Sequence, residues 1–271
     1  MARQVFERLL AEARAIEALV DAIVRDMRAG PQEADAHRVP QEICFRAQCW
    51  LRSTLQLRSP TDAFAVAAAG RALLESVVDA SLTHHLSDGR DRMRAWEDSA
   101  TLKSAEGTLR QCANSKRVQP QAVVDFVRQN ARRIKEERKR FWGKQTHPQR
   151  WSKNESLEAD IAAVDSFEEQ PIYLGASLSA FAYTFYYRSC GYVHASGLKS
   201  MRSMTPETMR IAHVYFRCHA NALTLLCTEL CARTVESGII VNERRATLVE
   251  RRTRTAAVYG QVEQALRDAG F

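Results

Sequence analysis

Glycine and proline are scarce in this chain, 11 and 7 in 271 residues. So few turn-formers disfavour a sandwich of short strands and favour long helices with short connections. No apolar run approaches the roughly 18 residues of a membrane span, so no transmembrane helix is expected. Neither Gly-x-x-x-x-Gly-Lys-Ser/Thr nor Gly-x-Gly-x-x-Gly occurs, which removes both common phosphate cradles. Gly-x-Ser-x-Gly and His-Glu-x-x-His are missing too, and none of the seven histidines follows a glutamate by three residues. With no zinc spacing either, neither a metal nor a cofactor is expected.

The seven cysteines (44, 49, 112, 190, 218, 227 and 231) form no Cys-x-x-Cys. An odd set in apolar helical surroundings fits small hydrophobes in a reducing compartment better than a disulfide framework. The first residues, Met1-Ala-Arg-Gln-Val-Phe-Glu-Arg8, are amphipathic and carry an acid, unlike a secretory leader. The expectation is a cytoplasmic protein with no membrane partner.

What is present reads as helix after helix. Apolar stripes and stop signals predict helices over 3–29, 41–58, 61–86, 90–112, 121–142, 155–166, 171–187, 205–236 and 242–268. Residues 31–40 and 143–154 read as polar loops, and Ile239-Ile240-Val241 is the one candidate strand. The helix from 61 is apolar nearly all round, and the aromatic helix opened by Pro171 looks like a second central element. The predicted fold is all-α, a single helical-bundle domain spanning 1–271 with about eight or nine helices. In it, 1–30 is a peripheral helix, 61–200 holds the central helices and 205–271 the C-terminal ones.

Charge is unevenly spread. Only seven of the 39 basic residues are Lys, and the net charge is +7. Arginine forks onto phosphate and stacks on bases, so the balance leans toward an anionic partner such as nucleic acid, although a high-GC coding bias gives the same composition. Between Lys103 and Lys153 stand fourteen Lys or Arg against four acids. The densest part holds Arg132, Arg133, Lys135, Arg138, Lys139 and Arg140, and ends in Phe141-Trp142. Cations followed by aromatics can grip phosphates and stack on bases, so these six cations and Trp142 are candidate nucleic-acid contacts. The alternative is a solvated helix face laced with Glu–Lys and Glu–Arg pairs. A second cluster, Arg244, Arg245, Arg251, Arg252 and Arg254, is a possible extension of the same surface.

The segment from Tyr186 to His194 offers the most chemistry. An imidazole can move protons near neutrality, and a guanidinium can hold a phosphate. His194 as acid or base and Arg188 as phosphate clamp could cleave RNA without a metal, the ribose 2′-hydroxyl attacking its own phosphodiester. Six steps along a straight helix leave the two side chains about 120° apart, so they converge only if the helix breaks near Gly191 or a second subunit completes the site. Tyr187, Ser189 and Tyr192 are the supporting residues. A similar spacing, with six intervening residues in place of five, occurs at Arg140…His147, but that pair runs into a polar loop. On a buried helix, Arg71 and Glu75 at i, i+4 form a candidate structural ion pair, satisfying each other or meeting polar groups on the 171–187 helix.

In a basic all-α chain, Arg188-x5-His194 resembles the signature of the HEPN superfamily, whose active members are metal-independent ribonucleases working as dimers. Arg71-Ala-Leu-Leu-Glu75, followed later by Tyr-Arg…Tyr-Val-His, resembles a large bacterial family of uncharacterised proteins. The resemblance implies a homodimeric endoribonuclease, a toxin or defence effector with an antitoxin or neighbouring protein as partner. Ser189 stands where active members usually have Asn, Asp or His. The competing expectations are a non-catalytic helical scaffold that binds nucleic acid or a protein, and a helical enzyme acting on a small phosphorylated or nucleotide ligand.

Overall fold

The structure is a computed structural model that describes residues 2–30, 35–143, 150–168, 173, 175–193, 205–235 and 239–268. Nine α-helices occur among them: α1 (Ala2–Ala29), α2 (Asp35–Thr54), α3 (Ala63–His85), α4 (Gly89–Asn114), α5 (Gln121–Trp142), α6 (Leu157–Phe167), α7 (Leu178–Val193), α8 (Pro206–Thr234) and α9 (Asn242–Asp268). A 3₁₀ turn, Pro60–Asp62, leads into α3. The described residues hold no strand, only an isolated bridge between Tyr173 and Ala176. The fold is all-α, as expected.

The chain divides into two compact units, residues 1–85 with 160–271, and residues 86–159. In the larger one α8 is the axis, packed against α1, α2, α3 and α9, while α7 lies on α3. Residues 212–228 of α8 are buried without a break, so this helix has no solvent face over more than four turns. The centre is therefore formed by α3 and α8, where the sequence pointed to α3 and the helix after Pro171. Polar side chains disguise α8, and each of several finds a partner inside. Asn221 donates through Nδ2 to the Leu9 carbonyl of α1 at 3.0 Å. Thr224 and Thr228 donate to the carbonyls one turn back, of Ala220 and Thr224, both at 2.7 Å.

Arg217 is the largest fully buried side chain. Its Nη2 donates to the carbonyls of Thr54 and Leu57, each at 2.7 Å. Those oxygens lie at and just past the end of α2, where helix carbonyls lack intrahelical partners and the helix dipole favours a cation. A buried guanidinium thus serves as the C-terminal cap of another helix. Burial lowers its pKa to about 10, still well above neutrality, and lowers that of the adjacent His213 to about 4.

Element boundaries differ from the predicted ones in several places, α2 ending at Thr54 and not at 58 among them. The helix α2 begins at Asp35 and carries Pro40 inside it, within the stretch read as loop. Pro40 is the sixth residue of α2 and has no amide to donate one turn back, yet the helix runs on through it, so it did not mark a true end. The helix α7 begins at Leu178, not at Pro171. Ser177 Oγ accepts from the amide of Ala180 at 3.1 Å, and the Asp165 carboxylate accepts from the amides of Leu178 (2.7 Å) and Ser179 (2.8 Å). These acceptors satisfy the orphan donors of a first turn and fix where it starts. Finally, residues 239–241 form a turn leading into α9, with the Val241 carbonyl accepting from Arg244 and Arg245. Four cysteines, 44, 218, 227 and 231, are buried and free. No helix among the described residues is long and apolar enough to cross a membrane.

Candidate functional site

The smaller unit is built on a hairpin of α4 and α5. Pro120 and Gly143 bracket α5, Gly143 with φ of +59°, and the positive φ of Lys116 (53°) turns the chain after α4. Leu102 of α4 and Ile134 of α5 are buried in this unit. At the base, Arg92 of α4 donates to the Ser152 carbonyl at 2.9 Å and pairs with Asp88, and that pairing lowers the Asp88 pKa.

The charge distribution follows this division closely. Residues 86–159 carry 17 Lys and Arg against 10 Asp and Glu, a net +7. That is the net charge of the whole chain, because the other 22 basic residues are matched by 22 acids. Within the hairpin, Arg132 pairs with Glu136 (3.0 Å), and Arg133 with Glu137 (3.1 Å) and Asp98 (3.2 Å). Arg133 donates to both oxygens of the Glu137 carboxylate, and these hydrogen bonds are the main reason its pKa is raised. Lys135 reaches Glu106 of α4 at 2.9 Å. Lys139 and Arg140 are exposed, Arg138 is half-buried, and Arg140 lies over the Phe141 ring at 5.2 Å.

Trp142 is not on the surface with these cations. It is 5% exposed, and its ring centroid lies 5.9 Å from that of Trp96 on α4. The two indoles form part of the wall of a cleft of about 410 Å³ between α4 and α5. Trp96, Ser99, Lys103 and Glu106 line it from α4, and Lys135, Arg138 and Trp142 from α5. The spacings are three and four residues on each helix, so each set forms one stripe. Sequence reasoning missed Trp96, Lys103 and Glu106, although these spacings were visible.

The other candidate residues lie in the larger unit. Arg188 belongs to the last turns of α7, which runs unbroken through Gly191 to Val193. The side chains of Tyr187, Arg188 and Tyr192 and the whole of His194 lie outside the described residues. Nothing described brings Arg188 and His194 together, and the break at Gly191 that would turn them toward each other does not occur. Ser189 is buried and donates to the Tyr186 carbonyl at 2.9 Å. Arg71 meets Tyr186 of α7, with Nη2 donating to the phenol oxygen at 2.9 Å and the guanidinium 4.6 Å from the ring centroid. Glu75, one turn further along α3, is half-buried.

Behind α7 lies an aromatic cluster. Tyr173 and His219 Nδ1 share a hydrogen bond of 2.6 Å, and the rings of Phe181, Phe185, Tyr215 and Tyr259 surround the imidazole at 4.2–5.3 Å. Burial raises the Tyr173 pKa well above its ordinary value, so the phenol stays protonated. His219 is fully buried, and this arrangement anchors α7 to α8. The second basic cluster is largely spent on ion pairs: Arg244 with Asp26, Arg251 with Glu12, Arg252 with Glu229 and Arg254 with Glu250.

No family model, curated protein or solved structure matches this chain. Among the described residues no group of three or more His, Cys, Asp or Glu is placed to hold a metal ion.

Proposed function

We propose that this chain binds RNA through the hairpin of α4 and α5. The observation that carries the reading is the confinement of the entire net charge to residues 86–159, while the rest of the chain is balanced. Ion pairs within the hairpin use up acids as well as cations, so they leave the excess of seven intact. Arg110, Lys116, Arg117, Arg128, Lys139 and Arg140 are all exposed on this unit. A polyanion bound there releases condensed counterions, a gain that salt erodes. The test is fluorescence anisotropy of a labelled mixed-sequence RNA titrated with protein at rising salt. A steep loss of affinity is expected, and affinity insensitive to salt would contradict the reading.

A second reading, metal-independent cleavage of the bound RNA, is supported by one observation. The helix α7 carries Arg188 in its last described turns, and His194 is the next residue in the sequence after Val193. With α7 unbroken, the pair would be completed across a homodimer, each copy supplying one residue. A role as a cytoplasmic toxin or defence effector belongs with this reading. Incubating end-labelled RNA with protein in EDTA tests it, with loss of cleavage in a folded His194→Ala variant as the expected result.

A further inference from the structure

The cleft between α4 and α5 has features that attraction to phosphate does not require. A surface that only neutralises a polyanion needs exposed cations, yet this unit has a recess of about 410 Å³ walled by two tryptophans. That size falls in the roughly 300–1,000 Å³ range of sites that enclose small organic groups. Its lining combines indole faces with Lys103, Lys135 and Arg138, and the single acid among them, Glu106, is held by Lys135 at 2.9 Å. Planar apolar walls with a cationic rim suit a flat heteroaromatic ring that carries a negative charge alongside.

Trp142 narrows the chemistry further. The side chain is 5% exposed, and its Nε1 is buried without a hydrogen-bond acceptor among the described residues. A buried N–H with no acceptor costs free energy, and indoles that are buried usually find one. A nucleobase offers carbonyl and ring-nitrogen acceptors in the plane of the ring, where an aliphatic or simple aromatic ligand offers none. At 5.9 Å the two indoles touch each other, so a base cannot be sandwiched between them. The half-buried Trp96 provides the stacking face and Trp142 the floor.

We infer that this cleft is a seat for a single unpaired base of RNA. The base stacks on Trp96, accepts a hydrogen bond from Trp142 Nε1, and has its flanking phosphates held by Lys103 and Arg138. The inference rests on the RNA-binding reading and adds to it a preference for single strands, since a base in a duplex is paired and stacked and cannot enter.

The test compares a labelled twelve-nucleotide oligo(U) with a duplex RNA of the same length, using full-length protein at one salt concentration. Trp96→Leu keeps apolar bulk on α4, Trp142→Phe removes the N–H, and Lys103→Ala removes a rim cation. Their melting temperatures are taken alongside, and Trp96→Leu with Lys103→Ala suffice if Trp142→Phe does not fold. Stacking on one aromatic predicts that Trp96→Leu weakens oligo(U) binding by about ten-fold or more while duplex binding changes by less than about two-fold. In the wild type, oligo(U) should also quench tryptophan emission. If the variants bind oligo(U) as the wild type does, or lose affinity equally for both RNAs, the base seat is overturned and the RNA reading stands. If the wild type binds neither RNA, the RNA-binding reading itself fails and the seat falls with it.

Discussion

Phe185 of α7 occupies the space that a side chain on Gly70 of α3 would need: a Cβ at residue 70 would sit 2.6 Å from Phe185 Cζ. Real Cβ atoms do not come that close to a neighbour, and Phe185 is fully buried, so it cannot swing aside. The absence of a side chain at one position of α3 thus sets how closely the aromatic helix approaches. Gly70→Ala should destabilise the protein by about 1–3 kcal/mol, despite the better helix propensity of alanine. Gly260 of α9, whose Cβ would meet nothing within 4 Å, is the matched control. Gly260→Ala should be neutral or stabilising by up to about 1 kcal/mol. Urea denaturation of the two variants beside the wild type measures both effects.

The cap that Arg217 forms on α2 predicts an unusually costly surface-type residue in a core. Arg217→Met would fill much of the volume but leave the carbonyls of Thr54 and Leu57 without their donor. A loss of about 3–5 kcal/mol is expected, with hydrogen exchange increasing first in the last turn of α2. Melting close to that of the wild type would mean that the cap contributes little.

His213 gives a pH dependence with a definite sign. Burial lowers its folded pKa from 6.5 to about 4, so the folded state excludes a proton that the unfolded chain accepts. Its contribution is fully present above pH 6.5, falls as pH drops from there to about 4, and falls no further below that. The total is on the order of 3 kcal/mol. Unfolding free energies at pH 7.5, 5.5 and 4.5, measured for the wild type and His213→Gln, should show a shallower acid decline in the variant.

Part of this fold could be read directly from the chain. Helix α5 was expected at 121–142 and lies there, because Pro120 and Gly143 bracket a clear amphipathic stripe. The burial of α8 was not legible. Arg217, Asn221, Thr224 and Thr228 look like solvent-facing residues until their partners in α1, in α2 and on α8 itself are known. The start of α7 was hidden for a similar reason, since the Asp165 carboxylate that caps it lies thirteen residues upstream of Leu178. At the candidate site, the charge excess could be counted from sequence. The cleft could not, because the Trp96 and Trp142 stripes lie on separate helices and acquire meaning only when α4 and α5 are paired.

The central claim is that RNA is held by the hairpin's excess charge, and one comparison of charge reversals tests it most directly. Lys139→Glu with Arg140→Glu alters exposed cations of α5, and Arg8→Glu with Arg14→Glu alters exposed cations of α1. Both pairs change the net charge equally. Anisotropy titrations across a salt series should show the α5 pair weakening RNA binding by about ten-fold or more, with the logarithmic salt slope reduced by about 0.7 for each phosphate no longer neutralised. The α1 pair should remain within about two-fold of the wild type. Equal weakening by both pairs, or no effect from the α5 pair, would contradict the account.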